Sequence, residues 1–138
     1  MFNSDAFNKF ILNNNVIKVF KTPITLKSGK QSHLYINWRH ITNDVALLET
    51  CANFVISYCE SNKLTPDCFY GVPEGATKLG IITQYLWAKK QNCSAGSHML
   101  SMGRALPKKH GDPADTHFIG EPQDNIILLE DENVLAPR

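Results

Sequence analysis

The feature that most restricts this chain is an alternation of two apolar periods between positions 44 and 131. Leu48, Cys51, Ala52, Val55 and Cys59 recur at three- and four-residue spacing, which predicts a helix over about 44–62 with one buried face. Thr42 to Asp44 offer N-cap oxygens for it. "DCFYGV" then reads as a short buried strand, and "PEGATKLGIITQYLWAKK" as a turn feeding a helix with Ala76, Leu79, Ile82 and Leu86 inward. "HMLSMG" and "IILLED" read as further strands, separated by the polar loop "RALPKKHGDPADTH" and a stub at "FIGE". Strand, helix, strand, helix, strand is the pattern of a parallel α/β sheet. Ligands of such sheets sit beyond the carboxyl ends of the strands, where "GVPEGAT", "MGRALPKKHGD" and "EDENVLA" fall.

The first forty residues carry a different pattern. A helix is predicted after Ser4, with Ala6, Phe7, Phe10 and Ile11 on one face, ending at Asn13-Asn14-Asn15. "VIKVF" and "ITLKSG" read as strands broken by Lys21-Thr22-Pro23, and "HLYINWRH" as a strand with Leu34, Ile36 and Trp38 alternating against Tyr35, Asn37 and Arg39. A length of 138 residues suits one domain with a real core. A net charge of +1 gives no bulk attraction to nucleic acid or an anionic membrane, so anion binding must come from a local basic cluster. There is no apolar run of membrane-spanning length and no basic-then-apolar start of a secretory signal. Cys51, Cys59, Cys68 and Cys93 contain no C-x-x-C pair and are expected to be buried or idle thiols in a reducing cytosol. "GSHM" at 96–99 matches a cloning scar but lies mid-chain, and reads as coincidence.

Three segments could carry chemistry. Arg104, Lys108, Lys109 and His110 crowd three fixed positive charges and an imidazole into seven residues. Pro107, Gly111 and Pro113 keep regular structure away, so a flexible cationic loop suited to a polyphosphate results. "GVPEGATKLG" places two glycines around a strand-to-helix turn able to offer backbone N–H groups to phosphate. Glu130 and Asp131 end an apolar strand, where adjacent carboxylates can accept hydrogen bonds from a diol or hold Mg²⁺ through water. Each has a plainer reading when taken alone: a solvated loop, a tight turn needing small residues, and exposed acids opening a turn. "LKSGK", with Lys27 and Lys30 around a Ser-Gly turn, is weak by itself.

Taken in order, "TLKSGKQSHLYIN", "GVPEGATKLG", "MGRALPKKHG" and "FIGEPQDNIILLED" closely resemble the orotate phosphoribosyltransferases, type I phosphoribosyltransferases, over about residues 5–131. The resemblance implies a parallel sheet flanked by helices (an α/β fold) and an N-terminal hood over 1–40. It also implies an incomplete core over 41–131 that lacks the C-terminal strands, followed by a divergent tail over 132–138. The implied reaction, in pyrimidine biosynthesis, joins orotate to phosphoribosyl pyrophosphate (PRPP) with Mg²⁺, giving orotidine monophosphate and pyrophosphate. Lys27, Glu74, Gly75, Glu130 and Asp131 match PRPP-binding positions, the acidic pair gripping the ribose hydroxyls. Tyr35 and Ile36 match the pair flanking the orotate ring. Arg104, Lys108 and His110 match a mobile catalytic loop that closes over PRPP in the neighbouring subunit of a homodimer. No side-chain metal site is implied: Mg²⁺ arrives with PRPP, Asp131 being a possible partner through water. The implied location is the cytoplasm, with no nucleic-acid or membrane partner.

Two departures stand out. Ala105 replaces a second loop lysine found in many relatives, and "ENVLAPR" has no Gly, Ser or Thr where the family wraps the PRPP 5′-phosphate. The sequence therefore reads as a chain cut off at the first turn of its central motif, whether as a shortened gene product, a splice form or a deliberate termination. The expectation is weak or no turnover by this chain alone. The rival reading is a catalytically dead paralogue that binds or regulates a full-length subunit.

Overall fold

A computed structural model describes residues 1–131. The expectations attached to the tail at 132–138 lie outside the described residues.

The chain opens with helix α1 (Ser4–Asn13), which starts at Ser4 itself because Asn3 is its N-cap: the Asn3 carboxamide accepts from the Ala6 N–H at 3.0 Å. Strands β1 (Ile17–Thr25) and β2 (Gln31–Ile36) pair antiparallel as a hairpin. The break expected at Lys21-Thr22-Pro23 is a correction: β1 runs through it, and the pairing register shifts between Val19 and Ile24. Pro23 has no N–H to give a ladder, so the irregularity is confined to its neighbourhood. The strand expected over "HLYINWRH" stops at Ile36. The Asn37 side chain accepts from the Arg39 N–H at 2.9 Å, turning the chain into the short helix α2 (Arg39–Thr42).

Helix α3 (Val45–Ser61) follows the predicted span, with the Asp44 carboxylate accepting from the Leu47 N–H at 2.9 Å as its cap. Strand β3 (Cys68–Gly71) leads through a turn into α4 (Thr77–Lys90). The buried seam of α4 is Gly80, Thr83, Gln84, Trp87 and Ala88, while the expected Leu79, Ile82 and Leu86 are only half-buried. The cause is close approach: a Cβ on Gly80 would overlap the backbone of Gly71, so β3 meets the helix along its smallest residues. Strand β4 (Met102–Gly103) is all that forms of "HMLSMG". It pairs antiparallel with β5 (Phe118–Ile119), outside the parallel pair. Met99, earlier in that segment, gives its carbonyl to the Gln84 side chain instead of to a strand.

The parallel sheet joins β3 to β6 (Ile126–Leu129), Cys68 opposite Ile126 and Gly71 opposite Leu129. Phe69, Ile56, Cys59 and Trp87 form the core beneath it, with Ile127 and Leu129 packed on from β6. A second cluster of Val16, Ile41 and Cys51, with Phe10, Ile11 and Trp38, joins α1 and α2 to α3 at the base of the hairpin. This is the mixed α/β arrangement expected, with a parallel pair at its centre.

Gln84 is the polar staple of the core. Its side chain accepts from the Phe69 N–H at 2.9 Å and donates to the carbonyl of Met99 at 2.9 Å. Gln84→Leu keeps the bulk but strands that buried N–H, so stability should fall by about 1–3 kcal/mol in urea denaturation. A change within measurement error would show that Gln84 does not hold β3 to the loop.

Among the described residues the thiols are unpaired, with Cys51, Cys59 and Cys68 buried and Cys93 exposed. Burial pushes the Cys51 thiol up to about 11. Thiolate, not thiol, is the nucleophile, so Cys51 should alkylate about a hundredfold more slowly at pH 8 than an ordinary thiol. Mass spectrometry after brief iodoacetamide treatment should find Cys93 modified and Cys51 intact. Equal labelling of both in the folded protein would contradict this environment.

Candidate active site

Because β3 and β6 run parallel side by side, their carboxyl ends open at one edge. β3 delivers Val72, Pro73, Glu74 and Gly75 there, and β6 delivers Glu130 and Asp131. The ladder extends one step further, the Val72 N–H donating to the Leu129 carbonyl at 2.9 Å. The β3 turn is drawn tight by Ala76 N–H to the Val72 carbonyl at 3.1 Å and Thr77 N–H to the Glu74 carbonyl at 3.2 Å. Gly75 is required at this point: the Asp131 carboxylate occupies the place its Cβ would take. Glu130 supports its neighbour, its carboxylate accepting from the Asp131 N–H at 2.9 Å.

A cavity of about 520 Å³ lies over this edge, lined by Lys27, Arg39, Pro73, Glu74, Gly75, Ala105, Glu130 and Asp131. Lys27 arrives on the β1–β2 turn, which is closed by Leu26 N–H to the Lys30 carbonyl at 2.8 Å and by Gly29 at φ 83°. Two cations thus face three carboxylates. A second cavity of about 490 Å³ shares Glu130 and Asp131 and is otherwise apolar, walled by Ile11, Val16, Ile17, Ile36 and Trp38. A polar chamber and an apolar chamber therefore meet at the acidic pair. That geometry suits a ligand whose anionic part and flat, less polar part are joined at a hydroxyl-bearing centre.

The structure gathers Lys27, Glu74, Gly75, Glu130 and Asp131 around the first cavity and sets Ile36 in the second. Tyr35 lines neither. It pairs with Lys18 across the hairpin, and alternation along β2 sends it to the opposite face from Ile36. Arg104, Lys108 and His110 also stay outside both cavities. The Arg104 Nε donates to the Asp115 carbonyl at 2.8 Å, and the Lys108 N–H donates to the Thr116 carbonyl at 2.8 Å. The loop is thus folded on its own far limb, where Pro113–Asp115 form a 3-10 turn. Only Ala105 of this loop reaches the cavity. Gly103, just before it, has no room for a side chain because the Tyr70 hydroxyl fills that place; burial raises the tyrosine's pKa.

Sequence reasoning missed Arg39 and the apolar wall of Ile11, Val16, Ile17 and Trp38. Asn37 was the available signal for Arg39: an Asn after an apolar strand favours a turn, which places Arg39 at the start of a helix. Among the described residues, no cluster of three or more His, Cys, Asp or Glu could hold a metal ion by itself. No helix among them is long and apolar enough to cross a membrane.

The chain matches no protein-family model and no curated protein sequence. Solved structures do match. An orotate phosphoribosyltransferase of Francisella tularensis superposes with a TM-score of 0.58 at 23% identity, over 89% of this chain and 55% of that one. The Mycobacterium tuberculosis H37Rv orotate phosphoribosyltransferase gives a TM-score of 0.55 at 14% identity, over 88% of this chain and 65% of that one. The Leishmania donovani UMP synthase gives 0.57 at 19% identity, over 92% of this chain and 24% of that one. The chain therefore has an orotate phosphoribosyltransferase-like fold, and it spans about half the length of the first of these proteins.

Proposed function

We propose that this chain carries the PRPP and orotate sites of an orotate phosphoribosyltransferase of pyrimidine biosynthesis. The observation that supports this reading best is the meeting of Lys27, the Glu74–Gly75 turn and the Glu130–Asp131 pair in one cavity beside an apolar one. In this reading the acidic pair accepts hydrogen bonds from the ribose hydroxyls, while Lys27 and the backbone donors of the Gly75 turn hold phosphate oxygens. Ile36 and Trp38 take the flat face of orotate. Breaking the ribose–pyrophosphate bond makes the sugar cationic and the leaving group more anionic. Carboxylates near the sugar and cations near the diphosphate stabilise that separation.

Arg104, Lys108 and His110 enter the reaction only if their loop leaves its contacts with 115–117 and closes, over this site or over that of a second copy. The exposed apolar side chains of Ile126 and Leu128 on β6 support association as a homodimer. Magnesium fits as a companion of PRPP: the lining carboxylates form no cage, so the ion would be held by the diphosphate, with Asp131 reaching it through water. When bound it would neutralise the leaving group's charge. The reading places the protein in the cytoplasm.

The test is an acceptor panel. The purified chain, incubated for hours with PRPP, Mg²⁺ and radiolabelled bases, should form a nucleotide from orotate, even if slowly, and none from adenine, guanine or uracil. Product from another base and none from orotate would overturn the assignment of acceptor. No product from any base would overturn the assignment of activity to this chain.

A further inference from the structure

We infer that Arg39 is a diphosphate-binding residue of the cavity, a role that rests on the function proposed above. Its backbone is fixed from both sides. The Asn37 side chain accepts the Arg39 N–H at 2.9 Å, and the Arg39 carbonyl accepts from the Asn43 N–H at 2.9 Å and the Thr42 hydroxyl at 3.1 Å. Ile41 and Thr42, on the same short helix, are buried and anchor it. The side chain itself is exposed and lines the chamber that holds Lys27, Gly75, Glu130 and Asp131. An anchored backbone and an exposed side chain on the cavity wall together describe a residue positioned for a ligand.

Charge balance strengthens the case. Glu74, Glu130 and Asp131 bring three negative charges to the cavity wall, and Lys27 alone could not make it receptive to a polyanion. Arg104, the other arginine of the region, is turned onto the Asp115 carbonyl. A guanidinium offers paired N–H donors in a fixed plane, which matches two oxygens of a diphosphate better than an ammonium does. Arg39 is the group through which this cavity would prefer a diphosphate to a single phosphate.

The experiment is calorimetric titration of inorganic pyrophosphate, with Mg²⁺, into the wild-type chain, Arg39→Gln, Arg39→Lys and the surface control Lys63→Gln. Arg39→Gln should weaken binding about ten- to a hundredfold, Arg39→Lys by less, and Lys63→Gln not at all. Orthophosphate, titrated in parallel, should lose much less affinity on the Arg39→Gln change. All four proteins should melt within a few degrees of one another. Wild-type binding that Arg39→Gln leaves within twofold would overturn the inference while leaving the proposed function standing. So would a large fall in melting temperature for Arg39→Gln, which would make the effect structural. Absence of pyrophosphate binding by the wild type would overturn both.

Discussion

Phe69→Ala is expected to cost about 3–5 kcal/mol of folding stability, the range for emptying a well-packed aromatic site. Phe69 is fully buried at the centre of β3, with Ile56 and Cys59 of α3 on one side and the Trp87 ring edge-on with centroids 5.7 Å apart. Its N–H is held by Gln84 at 2.9 Å, so its backbone cannot slide to close the hole. Domains of this size have about 5–15 kcal/mol in total, and a loss of this size would leave much of the population unfolded under mild denaturant. Urea titration followed by tryptophan fluorescence measures it directly, since Trp87 lies against the deleted ring. A loss below about 1 kcal/mol would mean that β3 is not the spine of the fold.

Replacing both Glu130 by Gln and Asp131 by Asn is the change expected to affect ligand binding most. In the proposed reading each carboxylate accepts a charge-assisted hydrogen bond from a ribose hydroxyl, worth about 1.5–3 kcal/mol, so losing two should weaken PRPP about a hundredfold or more. Affinity for pyrophosphate alone, which lacks the sugar, should hold or improve, because two negative charges leave the wall around Lys27 and Arg39. Stability should change little, since Glu130 is exposed and Asp131 only half-buried. Equal loss of PRPP and pyrophosphate, measured by competition calorimetry, would show that the acidic pair does not read the ribose.

How far the sequence announces this structure differs from place to place, for physical reasons. Helix α3 was readable because both signals lie within it: an apolar face of regular period, and Asp44 as a cap oxygen at its start. The seam of α4 was not, because closest approach to β3 selects Gly80, Thr83 and Gln84, which no hydrophobic pattern picks out. "HMLSM" looks like a strand by composition, yet a side chain fifteen residues earlier, Gln84, takes its Met99 carbonyl. Such a contact is long-range and leaves no local trace. Placing Glu74, Gly75, Glu130 and Asp131 together needed only the parallel pairing of two apolar runs that end in chemically distinctive residues. Arg39 was hidden for the opposite reason: an alternating pattern extends past Ile36, and only the Asn37 turn ends it. The cationic loop was legible as charge but not as geometry, because the Arg104 side chain is held by a backbone carbonyl, that of Asp115, which composition does not encode.

The central claim is that PRPP occupies the cavity at the carboxyl ends of β3 and β6. Backbone amide NMR of the labelled chain, titrated with PRPP and Mg²⁺, tests it most directly. Saturable shifts are expected at Lys27, Arg39, Gly75, Ala76, Glu130 and Asp131, with the amides of Gln91, Ser97 and His98 unmoved. A titration that leaves the first group in place, or that moves the second group instead, would contradict the account.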